Sequence, residues 1–116
     1  MGETHERQLD GCVVRWEDSL ADPRLTVAVA GEIDMANAAE WRELVVPLVR
    51  REQLSTVCVD LGEVTFIDSS GLSSLLAVKA ETDSAGISLE LTKLTANTRR
   101  LFETAGLVTY LDLPPS

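Results

Sequence analysis

Histidine and cysteine are scarce in this 116-residue chain, which has one histidine, His5, and two cysteines, Cys12 and Cys58. A lone histidine in a polar stretch leaves no base for a Ser-His-Asp or Cys-His nucleophile and no histidine-built metal site. The cysteines stand too far apart for a CxxC redox pair and match no zinc spacing, so they are expected as small buried or strand-edge hydrophobes and no metal is expected. Positive charge is short as well: ten Lys and Arg stand against nineteen Asp and Glu, a net charge of -9. Such a surface repels phosphate backbones and anionic membranes, which argues against nucleic acid as a partner. No stretch approaches the ~18 consecutive apolar residues of a membrane span, and Met1 to Asp10 lacks the apolar core of a signal peptide. The expectation is a cytoplasmic chain with no direct membrane insertion. There is no GxxxxGK(S/T) loop and no protein-kinase loop, so no cofactor and no phosphoryl-transfer machinery are expected.

What remains is an ordinary globular composition, 45% apolar and 25% charged. The length suits one domain. Polar residues 1–10 and the closing Pro114, Pro115 and Ser116 are expected as disordered tails around a single domain at 11–113.

Within that span, Cys12 to Trp16 and Leu25 to Gly31 are expected to pair as an antiparallel hairpin across the eight residues Glu17 to Arg24. In the second strand Leu25, Val27 and Val29 share one face and Thr26, Ala28 and Ala30 the other, so one side is bulky and the other small. Asp34 stands where a helix N-cap belongs, and Trp41, Leu44, Val45, Leu48 and Val49 recur at helical spacing from about Met35. Pro47 should kink that helix or end it early. Ser55 to Leu61 is the next strand, parallel to the second because a helix-length crossover joins them. Leu72, Leu75, Leu76 and Ala80 then mark a helix ending near Gly86, and Ile87, Leu89 and Leu91 a fourth strand wet on one face. A last helix begins near Thr95 and stops at Gly106, with Leu107 folding back on Phe102; Tyr110 to Leu113 adds a short edge strand. The order ββαβαβα implies an α/β fold, a mixed β-sheet with helices packed chiefly on one face.

Four motifs come in order along this frame: Gly31-Glu32-Ile33-Asp34, Val59-Asp60-Leu61, Val64 to Leu72 with Asp68-Ser69-Ser70-Gly71 inside it, and Arg99-Arg100-Leu101-Phe102 with Gly106-Leu107. Together they resemble the STAS family, and within it the bacterial anti-sigma factor antagonists, over about Leu25 to Leu111. Each tetrapeptide alone is weak; four at matching spacing are specific.

The resemblance implies partner switching. An unphosphorylated antagonist binds an anti-sigma factor that is also a serine kinase, and a sigma factor is released. Phosphorylation of the serine after the motif aspartate, Ser69 here, ends the association, and a serine phosphatase restores it. The chain would be the substrate of that transfer and not an enzyme. Glu32, Asp34, Asp68, Ser70 and Gly71 are the expected partner-binding residues around the Ser69 phosphoacceptor.

The residues also admit plainer accounts. Asp68, Ser69 and Ser70 form an N-cap cluster, though one without the Glu or Gln that completes a capping box. Glu32 can be a solvated strand-end charge, Asp34 a cap, and Gly71 either a point of partner approach or relief of crowding in the first helical turn. Arg99 and Arg100 are given no role, and Trp16 and Trp41 are assigned to packing. The alternative function is a non-switching STAS subunit of a membrane transporter or a stress-signalling scaffold, against which the intact Asp68 to Gly71 run weighs.

Overall fold

The computed structural model describes residues 3–18, 23–51 and 53–113, Asp18 by its backbone alone. In chain order the elements are β1 (Glu3–Leu9), β2 (Cys12–Asp18), β3 (Arg24–Ile33), α1 (Ala38–Val49), β4 (Thr56–Ile67), α2 (Ser69–Ala85), β5 (Ser88–Thr92) and α3 (Ala96–Thr104). The strands make one sheet in the order β1-β2-β3-β4-β5. β1 with β2 and β2 with β3 are antiparallel, whereas β3 with β4 and β4 with β5 are parallel. Parallel neighbours need a crossover, and α1 and α2 supply the two. The result is the mixed α/β sheet expected from the sequence.

Alternation in β3 decides which face is covered. Leu25, Val27 and Val29 are buried, as are Val57, Val59 and Leu61 on β4, and all join one core with Trp41 and Val45 of α1, Leu75 and Val78 of α2 and Phe102 of α3. Trp41 and Phe102 are fully buried. Removing an aromatic side chain of this kind from water stabilises the fold by roughly 1.5–3 kcal/mol. The helices α1 and α2 pack on each other, and the indole N–H of Trp41 donates to the Ser74 hydroxyl at 2.6 Å. Cys12 and Cys58 are free thiols buried in this framework. Burial pushes the Cys12 thiol up from its ordinary value, and Asp34 and Glu40 add to the rise.

Helix ends follow the residues at hand. α1 contains Pro47 and ends at Val49, where the Arg50 amide reaches the carbonyls of Val46 and Pro47. At the end of α3 the Leu107 amide bonds the Phe102 carbonyl and the Gly106 amide that of Glu103, the Schellman pair anticipated from Gly106. Thr95 caps the start of α3, its side chain accepting the Thr98 amide.

Several expectations are corrected. Residues 3–9 are not a disordered tail: they form β1, paired with β2 from Glu3 opposite Asp18 to Leu9 opposite Cys12. The strand is polar because it lies at a sheet edge with only Leu9 buried. A two-residue turn, Asp10-Gly11, closes it, with Gly11 at a positive φ of 89°. The element order therefore starts with three strands. α1 begins at Ala38 and not near Met35, because Asp34 closes a tight turn whose carbonyl accepts the amides of both Asn37 and Ala38. β4 does not stop at Leu61; it continues to Ile67 through register shifts against β3 that break its alternation. Tyr110 to Leu113 is no strand but a chain of turns, with Leu111 bonded to Leu107 and Leu113 to Val108, that folds two leucines into the core. Residues 1–2, 19–22 and 114–116 lie outside the described residues, and with them most of the first loop and the C-terminal tail.

Candidate functional site at the start of the second crossover helix

β3 and β4 end side by side, Ile33 paired with Ile67. The loops that follow them therefore leave the sheet at the same edge, and one carboxylate joins them. Asp68 caps α2 by accepting the Gly71 amide on Oδ1 at 3.0 Å, and its Oδ2 accepts the Met35 amide from the other loop at 3.2 Å. Its own amide donates to the Ile33 carbonyl. Asp68 is thus the helix cap of the plainer account and also the bond between the two loops.

Ser69, the first residue of α2, is exposed, and no hydrogen bond to a described residue engages its hydroxyl. Helix N-termini leave backbone amides unpaired and carry a partial positive charge of about half a unit, which favours an added anion. Ser70 is half-buried beside it. Gly71 is buried, and a β-carbon there would collide with the Ile33 carbonyl and stand 2.8 Å from Ile67 Cγ1. Of the two readings of this glycine, relief of crowding is the one the packing supports: the close approach it permits here is that of α2 onto the protein's own β3. The Gly71 carbonyl in turn accepts the buried Ser74 hydroxyl, at 2.6 Å, which also receives Trp41. The turn that carries Ser69 is held from three sides.

Across from it, Asp34 is half-buried and its Oδ1 accepts the Ala36 amide, so this carboxylate shapes its own loop. Glu32 is exposed at the end of β3. The structure brings Asp34, Asp68, Ser69 and Ser70 to one edge through the Met35 to Asp68 bond, with Glu32 two residues before Asp34.

One residue of this region was missed in the sequence. Asn37 is only 1% exposed, donates from Nδ2 to the carbonyls of Asp10 and Glu32 at 2.7 Å each, and accepts the Asp34 amide on Oδ1. It ties the β1–β2 turn, the end of β3 and the entry to α1 together. The available signal was an amide side chain next to the first periodic position of α1, where Asn favours capping and turns.

Residues 16–113 match the family model described as Mlab, STAS domain. The anti-sigma-B factor antagonist of Bacillus subtilis (strain 168) is 35% identical over 89 residues, 77% of this chain and 80% of that protein. Among solved structures, an anti-sigma factor antagonist from Mycobacterium paratuberculosis superposes with a TM-score of 0.72 at 28% identity, covering 92% of this chain and 88% of that one. The mouse solute carrier 26 family member A9 anion transporter gives a TM-score of 0.70 at 18% identity, over 81% of this chain but 16% of the transporter. That last likeness is one of fold. Among the described residues no helix is long and apolar enough to cross a membrane.

Proposed function

The chain belongs to the STAS domain family, and we propose that it acts as an anti-sigma factor antagonist switched by phosphorylation at Ser69. Unphosphorylated, it binds an anti-sigma factor with serine kinase activity in the cytoplasm and so frees a sigma factor. The kinase then transfers the γ-phosphoryl group of ATP to the Ser69 hydroxyl, the proton leaves, and the complex dissociates. A serine phosphatase resets the cycle by hydrolysis.

The single observation that carries this reading is the exposed, unengaged hydroxyl of Ser69 on an internally braced turn. A kinase can reach it without opening the core. A phosphoryl group adds about -1.5 to -2 charge at pH 7, and the helix start accommodates it within the fold. At an interface the same dianion, beside Asp68 and Asp34, adds repulsion and a desolvation cost. Affinity falls while the fold persists. The 35% identical relative, matched over most of its length, supports the antagonist role over that of a transporter subunit.

The test is incubation with the cognate anti-sigma kinase and ATP. Mass spectrometry should find one phosphoryl group on the wild type and none on Ser69→Ala. Undiminished phosphorylation of the alanine variant refutes the site.

A further inference from the structure

Among the large apolar side chains of the described residues Met35, Phe66 and Tyr110 are exposed, and of these Met35 stands furthest out, 82% accessible. A methionine so placed contributes nothing to the core. Its backbone is fixed all the same, because its amide is bonded to Asp68, the residue before Ser69. Beside it a groove of about 310 Å³ runs between the first turns of α1 and α2, walled by Met35, Ala38, Ala39, Arg42, Ser70 and Ser73. Apart from Arg42, whose side chain is exposed, these residues carry no charge, and no described carboxylate pairs with that guanidinium. In a chain of net charge -9, a cation left unpaired in a groove wall selects for a carboxylate. The thioether adapts its shape to an apolar surface at little strain, and an exposed apolar group over a preformed groove is where binding energy concentrates.

We propose that Met35 and Arg42 are the anchor of the docking face, and that the occupant is a segment of the anti-sigma factor kinase presenting an apolar side chain to Met35 and a carboxylate to Arg42. The proposal rests on the function inferred above: a protein that phosphorylates Ser69 must sit against the turn to which Met35 is bonded. It also refines the site, since both oxygens of Asp68 and Oδ1 of Asp34 are engaged inside the protein and the contact energy falls on their neighbours.

The experiment measures binding of the purified anti-sigma kinase to wild type, Met35→Ala, Arg42→Glu and Tyr110→Ala, with melting curves for each. Met35→Ala and Arg42→Glu should each weaken binding at least tenfold with unchanged melting, and the Arg42→Glu loss should shrink in high salt; Tyr110→Ala should bind as wild type. If the kinase phosphorylates wild-type Ser69 while Met35→Ala and Arg42→Glu bind within twofold of wild type, the anchor is wrong and the function stands. A kinase that neither binds nor phosphorylates the wild type overturns both. A dimer of this chain dissociated by Met35→Ala would assign the groove to self-association and overturn the proposal as well.

Discussion

Gly71 and Ile33 are packed so closely that no side chain fits between them, since a β-carbon on Gly71 would run into the Ile33 carbonyl. The helix that carries Ser69 is therefore seated directly on the end of β3, and the glycine sets how near the two loops come.

Replacing Gly71 should show this. Gly71→Ala must push α2 away from backbone atoms that have nowhere to go, and overpacking of this kind costs typically about 1–3 kcal/mol. Urea denaturation should report a lower midpoint with an unchanged slope. A midpoint equal to wild type would mean that the turn has slack the structure does not show.

Asn37 gives a second prediction. Asn37→Ala removes three hydrogen bonds and strands the carbonyls of Asp10 and Glu32. At about 1–3 kcal/mol for each of these two carbonyls left unpaired, a total loss of ~2–6 kcal/mol is expected. Amide exchange should quicken in the β1–β2 turn and at the start of α1 before it does in β4. Uniform exchange would show that the three segments are not held by this residue.

A third concerns charge at the switch. Ser69→Asp places an anion where α2 begins, in the favourable field of the helix. Its melting curve should match wild type within a degree or two while kinase affinity drops about tenfold or more, the drop easing with added salt. A large fall in melting temperature would show the effect to lie in the fold.

Much of this was legible in the sequence, and the gaps have physical causes. β3, α2, β5 and α3 announce themselves because each buries one face and leaves the other wet. β1 does not: Glu3 to Gln8 are half-buried or exposed, so no alternation marks them, and the only trace is the Asp10-Gly11 turn. The second half of β4 was lost because, across its register shifts, Val64 falls out of phase with Val57 and Val59 and Ile67 falls out of phase with Val64, which leaves no run of alternation. Asp34 resembles a cap, but its carboxylate serves a turn one step earlier and Asn37 stands next to the helix. At the site, Asp68-Ser69-Ser70-Gly71 could be read as chemistry from the motif alone. That Gly71 faces inward, and that Met35 is bonded to Asp68, required the fold, because both depend on partners more than thirty residues away in the chain.

The two-handed grip of Asp68 makes the phosphoacceptor segment poor material for transplantation. Grafted into another scaffold, Ile67 to Leu72 would carry its serine along and leave behind the amide from residue 35 that completes the geometry. The stretch from Asp34 to Asn37 has to travel with it. Engineers seeking a portable switch should move the pair of loops together with the two parallel strands that aim them.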